Sequence, residues 1–153
     1  NGVDLSILNS VHNSNNNRIK KIGDKIINKV DGGSLICFLG LSFKPNTDDI
    51  RESTSIKIAN YLYDNGYKIN CYDPKAMDNT KNEFQNYNYF NNSYDACKNV
   101  DAIVIGTEWN EFRALDFDVI GNIVKKRKIF DLRNIYNQLE LEKKDFEYYA
   151  TGK

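Results

Sequence analysis

The chain has 153 residues, 41% of them hydrophobic and 27% charged, enough for one globular domain with its own core. Its 21 basic and 21 acidic residues cancel, so no global basic field collects nucleic acid or an anionic membrane, and any binding site is local. No apolar run nears the roughly 18 residues that span a bilayer. The opening Asn1-Gly-Val-Asp-Leu5 has neither an initiator Met nor a signal-peptide pattern, so the chain is expected to be cut from something longer.

The first stretch, to about Val30, is polar and Asn-rich around His12-Asn-Ser-Asn-Asn-Asn17. His12, the only histidine, has no ligand partner nearby and reads as solvated rather than catalytic. Ile19, Ile22, Ile26 and Val30 recur at spacings of three and four, which is one apolar stripe of a helix. Asp31-Gly-Gly33 carries the chemistry of a helix stop. Ser34–Leu39 predicts a first strand, apolar on both faces. Ser53–Asp64 predicts a helix with Ile56, Ala59 and Leu62 or Tyr63 on its inner side, stopped by Asn65-Gly66. Tyr67–Tyr72 predicts a second strand, closed by Asp73-Pro74. A looser segment rich in Asn and Tyr follows, within which Tyr87–Phe90 suits a short edge strand. Ser93–Asn99 reads as a short helix and Asp101–Gly106 as a fully apolar strand. Phe117–Lys126 reads as a helix, Lys128–Leu132 as a strand, and Phe146–Ala150 as a last strand.

Strands apolar on both faces belong inside a sheet covered by helices on both sides. Alternating strands and helices argue for parallel βαβ units with right-handed crossovers. The expected fold is α/β: a doubly wound, mostly parallel sheet of Rossmann-like type behind about 30 residues of helical linker. Three cysteines, Cys37, Cys71 and Cys97, with no C-x-x-C, argue against a disulfide framework or a zinc site. Cys37 and Cys71 fall within apolar strand patterns, where a thiol acts as a small buried hydrophobe. A reduced, cytoplasmic setting is the expectation.

In such sheets ligands bind beyond the carboxyl ends of the strands. Gly40–Arg51, Thr107–Glu111 and Arg133-Asn134 each follow a strand at that edge. Lys44, Arg51 and Arg133 together offer what a diphosphate needs, a compact charge and two planar forks of donors. The helix opening near Ser53 adds backbone N–H groups and a positive dipole end. Asp49 and Glu52 have capping-box spacing, so Asp49 is expected to fix the helix start. Pro45 stiffens the loop. Phe43 is either core or ligand-facing. Trp109 reads as a packing anchor, and Lys125–Lys128 as the basic close of a helix. The chain has no G-x-G-x-x-G, no P-loop motif and no nucleophile elbow. Asp48 and Asp49 lack a third ligand in register, so no metal site is expected. These residues amount to a phosphate-friendly edge without a catalytic set.

"GLSFKPNTDDIRES" (40–53), "YDP" (72–74), "DAIVIGTEWNEFR" (101–113) and "IFDLRNIY" (129–136) resemble the C-terminal domain of the UDP-glucose 6-dehydrogenase family. The wider group acts on GDP-mannose and UDP-N-acetyl sugars as well, and those remain alternatives. The likeness runs from Leu35 to Gly152. It implies a full enzyme with an N-terminal NAD domain, a central helix that forms a homodimer, and a C-terminal domain that binds the nucleotide end of a UDP-sugar. Residues 1–30 resemble the end of that central linker and dimerisation helix, and residues 31–153 the nucleotide-sugar-binding domain. The resemblance implies oxidation of the sugar C6 alcohol to a carboxylate by NAD, in two hydride transfers through a thioester on a catalytic Cys. None of Cys37, Cys71 and Cys97 matches that Cys, so this chain alone is expected to be inactive. Phe43 and Lys44 match the family's substrate-contacting pair, Arg133 its diphosphate- or sugar-holding Arg, and Arg51 the Arg that reaches the cofactor. Leu132 stands where the family usually has Gly, which is expected to restrict the backbone before Arg133. An alternative of another class is a non-catalytic, receiver-like regulatory or interaction domain, which would set clustered acids at the strand ends to hold Mg²⁺. The basic equipment of this edge disfavours it.

Overall fold

The structure, a computed structural model, describes residues 5–151, with side chains from His12 onward. The apolar runs become six strands: β1 (Leu35–Leu39), β2 (Lys68–Tyr72), β3 (Asn88–Tyr89), β4 (Ala102–Ile105), β5 (Lys128–Asp131) and β6 (Glu147–Ala150). They pair in the order β3-β2-β1-β4-β5-β6, and every pair is parallel. This is the doubly wound order of mononucleotide- and dinucleotide-binding sheets.

The central strands are apolar at every position because both faces are covered. On one face Ile36, Phe38, Val104 and Phe130 pack under α1 (Leu5–Ile27) and α2 (Thr54–Asp64). On the other, Cys37, Leu39, Ile103 and Ile105 pack under α4 (Ser93–Cys97), α5 (Asn110–Arg113), α6 (Phe117–Ile123) and α7 (Gln138–Lys143). Each fully buried Ile, Leu or Phe contributes about 1.5–3 kcal/mol. The remaining helix, α3 (Met77–Glu83), follows β2. Tyr67 and Val30, expected in a strand and a helix, are buried just outside them.

The Asn-rich start is helical, as expected of the linker, and α1 runs from Leu5 to Ile27. Ile26 is fully buried, and Ile19 and Ile22 pack against the same core, so tertiary anchoring overrides the weak helix propensity of the asparagines. Gly23 lets α1 press onto α2, because a Cβ there would overlap the Tyr61 ring. Tyr61 then donates to Asp24 Oδ1 at 2.5 Å. The segment expected to be loose contains α3, and α5 and α7 are likewise unannounced by a long apolar stripe. Helix α6 ends at Ile123 instead of Lys126, where Val124 turns extended. Residues 1–4, at the start of the expected linker, and 152–153 lie outside the described residues.

The chain leaves the carboxyl end of β1 into α2 on one face and that of β4 into α5 and α6 on the other. β1 and β4 are neighbours, so their connections diverge and open a crevice at their carboxyl ends.

Candidate functional site

At that switch point the backbones of the β1 and β4 ends come unusually close. Gly40 sits at φ +97, and a Cβ there would stand 2.5 Å from the Thr107 amide nitrogen. Gly106 is equally closed in, by Ser55 and the Gly40 carbonyl. Three hydroxyls cross the junction. Ser55 donates to the Gly40 carbonyl at 2.5 Å, Ser53 to that of Leu41 at 2.8 Å, and Thr107 to that of Ser42 at 2.8 Å.

Beneath the loop lies Asp73, 1% exposed. Its Oδ2 accepts from the Leu41 and Ser42 amides at 2.7 and 3.0 Å, from Ser42 Oγ at 3.0 Å and from Trp109 Nε1 at 3.2 Å. Its Oδ1 accepts from the Lys75 and Ala76 amides at 2.9 and 2.8 Å. A buried carboxylate is tolerated only with such satisfaction. One side chain thus ties together the β1–α2 loop, the turn after β2 and the segment after β4. Trp109 is the anchor expected of it, 7% exposed and hydrogen-bonded into this knot.

Asp131, fully buried at the end of β5, does the same for the next loop. It accepts from the amides of Arg133 (3.1 Å), Ile135 (2.8 Å) and Tyr136 (3.1 Å), and from Tyr148 Oη (2.7 Å). Sequence reasoning missed both aspartates as site builders. The available signal was an acid inside or directly after an otherwise apolar strand, which demands a polar partner set.

The residues expected to face a ligand follow the two knots in the chain. Phe43 follows the Asp73-bound Ser42 and is 48% exposed, so it is not core. Lys44 is exposed and holds no ion pair among the described residues. Arg133 follows Asp131. Its Nε donates to the Gly106 carbonyl at 3.0 Å and lies 3.2 Å from Glu108 Oε2, and both side chains are 32% exposed. The guanidinium therefore lies across the end of β4, beside Thr54 and Ser55 at the start of α2. Leu132 does not strain this turn. The left-handed conformation falls on Asn134 (φ 56), a residue that tolerates it, so the expected restriction at Leu132 does not arise.

Arg51 goes elsewhere. Its side chain is 87% exposed and folds onto Asp49, with Nε to Oδ1 and Nη2 to Oδ2 both at 3.0 Å. Together they line a crevice shared with Asn79 and Glu83 of α3, away from the one that Arg133 occupies. Hydrogen bonds from the Arg51 side chain and amide, aided by the charge of Lys44, hold the Asp49 carboxyl below its ordinary range. Asp49 does not cap α2 as its spacing suggested. Ser53 is the cap, accepting from the Ile56 amide at 3.3 Å, and Glu52 stands outside the helix at φ 59.

All three cysteines are buried and free. Burial pushes the Cys71 thiol far up, and burial together with neighbouring Cys97 pushes Cys37 well up. These are not activated thiolates.

Fold and rim together define a doubly wound α/β domain with cations on the loops at its sheet switch point. Residues 37–138 match the UDP-binding domain of the UDP-glucose/GDP-mannose dehydrogenase family, and the chain belongs to that family. It is 43% identical over 142 residues to a UDP-glucose 6-dehydrogenase of Rhizobium meliloti (strain 1021), covering 91% of this chain and 32% of that protein. It is 41% identical over 155 residues to one from Rickettsia prowazekii (strain Madrid E), covering 98% and 36%. The chain thus spans about a third of the length of these relatives. A GDP-mannose dehydrogenase structure from Pseudomonas aeruginosa shares the fold, with TM-score 0.71 at 21% identity over 97% of this chain and 34% of that one.

Proposed function

We propose that this chain is the nucleotide-sugar-binding domain of an NAD-dependent UDP-glucose 6-dehydrogenase, which oxidises UDP-glucose to UDP-glucuronate. The observation that carries the reading is a pair of loop cations, Lys44 and Arg133, each presented at the switch-point edge by its own buried aspartate. The names of the relatives at about 40% identity favour UDP-glucose over GDP-mannose or a UDP-N-acetyl sugar.

In this reading Lys44 and Arg133 neutralise the diphosphate, and the exposed ring of Phe43 covers the nucleoside or sugar beside it. Arg51 meets the cofactor. The fit is favourable, since Asp49 takes Nε and Nη2 and leaves Nη1 of an exposed guanidinium for a phosphate oxygen. The β1–α2 loop has no glycine-rich phosphate cradle, so the body of the dinucleotide belongs to another domain. Arg51 would help hold NAD, which would supply the hydride acceptor for the sugar oxidation. This chain holds the substrate and closes over the cleft, and the nucleophilic Cys comes from elsewhere in the polypeptide. Helix α1 is the end of the connecting helix through which the full enzyme pairs as a homodimer. No helix among the described residues is long and apolar enough to cross a membrane. We place the enzyme in the cytoplasm, the reduced setting that the free thiols of Cys37, Cys71 and Cys97 suit.

Calorimetry of the chain with UDP, GDP and Mg²⁺ tests the reading. UDP is expected to bind, more tightly than GDP, without Mg²⁺ binding on its own. Tighter GDP binding would move the assignment to a GDP-sugar enzyme, and Mg²⁺ binding without nucleotide binding would favour a receiver-like domain. With UDP-glucose and NAD the chain alone should yield no NADH.

A further inference from the structure

Helix α1 reaches the switch point, where its Arg18 and Ile22 line a crevice with Gly106 at the end of β4. It is held against α2 by the Gly23–Tyr61 contact and the Tyr61–Asp24 hydrogen bond, which fixes where its earlier turns lie. Arg18 sits about a turn and a half before Asp24 and lines the same crevice as Arg133, with Thr54, Ser55 and Gly106. The crevice has a cavity volume of about 70 Å³, small enough to take one compact group such as a phosphoryl. Two arginines, one from a helix wall and one from the sheet edge, thus line one small space.

Their partners are unequal. Arg133 is already half-engaged by the Gly106 carbonyl and Glu108. Arg18 is exposed and has no ion pair among the described residues. Nearby carboxylates on α1 do not relieve it, since Asp24 is taken by Lys20 and Tyr61. Two like charges lining one crevice repel, and an anion between them turns that repulsion into a clamp.

We propose that Arg18 is a further substrate-binding residue, donating to the phosphoryl group of the nucleotide sugar that Arg133 holds from the other side. This inference rests on the nucleotide-sugar reading above. Its consequence is mechanical as well as electrostatic. A phosphoryl group bridging Arg18 and Arg133 would tie α1 to the sheet edge, so substrate binding would be sensed by the helix itself.

The test is a UDP titration of the chain by calorimetry, with Arg18→Ala, Arg18→Lys and Lys21→Ala. Lys21 lies three residues on and removes the same charge, but it does not line this crevice. Loss of a charge-assisted contact should weaken UDP about tenfold or more in Arg18→Ala. Arg18→Lys should recover part of that loss, and Lys21→Ala should stay within about twofold, as an exposed, screened charge does. All variants should melt with the parent, because Arg18 and Lys21 are exposed. If UDP binds the parent and Arg18→Ala weakens it no more than Lys21→Ala, this inference is overturned and the nucleotide-sugar reading survives. If the parent does not bind UDP at all, both fall together.

Discussion

Asp73 and Asp131 lie at 1% and 0% exposure, whereas Lys44 and Arg51 stand in solvent a few residues along the loops that these or neighbouring turns support. The two groups look alike in sequence, as polar residues just beyond apolar strands. Their physics differs. Each buried aspartate is enclosed by N–H and O–H donors drawn from separate segments, so removing it leaves several buried donors without a partner. Each exposed cation costs the fold little when lost, Lys44 being hydrated and Arg51 paired only with Asp49 at the surface. The inner layer fixes geometry and the outer layer meets the ligand. A polar residue at a binding edge can therefore be sorted by asking whether its partners are protein or solvent.

The largest effect should come from the inner layer. Asp73→Ala strips the shared acceptor from the Leu41, Ser42, Lys75 and Ala76 amides and from Trp109. It should lower the unfolding free energy by about 3–5 kcal/mol in urea titration. Lys44→Ala should stay within about 0.5 kcal/mol of the parent. Equal stability of the two variants would erase the distinction between layers.

Tyr148→Phe gives a finer measure of the same layer. It removes the hydroxyl that donates to Asp131 Oδ2 at 2.7 Å and leaves the ring in place. A loss of about 1 kcal/mol is expected, since the three amides on Asp131 remain. A neutral outcome would mean that the amides alone set the Arg133 loop.

The smallest effect belongs to the outer layer, at the Asp49–Arg51 clamp. The Asp49 carboxyl is held below its ordinary range, chiefly by hydrogen bonds from Arg51. The clamp is thus fully formed above about pH 4, the unfolded carboxyl's own value, and is lost as the pH falls through the lower folded value. An NMR titration of the Asp49 carboxyl carbon should show its midpoint move upward in Arg51→Ala. An unmoved midpoint would assign the depression to something other than this pair.

The sheet was legible because period and burial coincide. "LICFL" and "AIVI" are apolar on both faces and so announce central parallel strands, and "INCY" departs from that only at Asn70, which is buried and hydrogen-bonded to the Ala96 carbonyl. Short helices were not, since α3, α5 and α7 run only seven, four and six residues and are made by tertiary contacts rather than by a periodic stripe. At the site, the cations were legible as types placed at a known edge. The hidden part was whatever depends on chain segments meeting. Asp73 reads locally as turn chemistry before a proline, and only the fold brings Leu41, Ser42 and Trp109 onto it. Asp49 shows the reverse error. Its spacing to Glu52 imitates a capping box, but Ser53 is better placed because its hydroxyl also reaches the Leu41 carbonyl. Arg18 was unreadable for the same reason, being more than a hundred residues from Arg133 in sequence and beside it at the crevice.

The account turns on whether cations from two separately anchored loops share one nucleotide. UDP titration of Lys44→Ala, Arg133→Ala and the double variant measures this most directly. Each single change should weaken binding about tenfold or more, and the double variant should lose less than the sum, as partners on one ligand do. UDP affinity that neither substitution alters would contradict it.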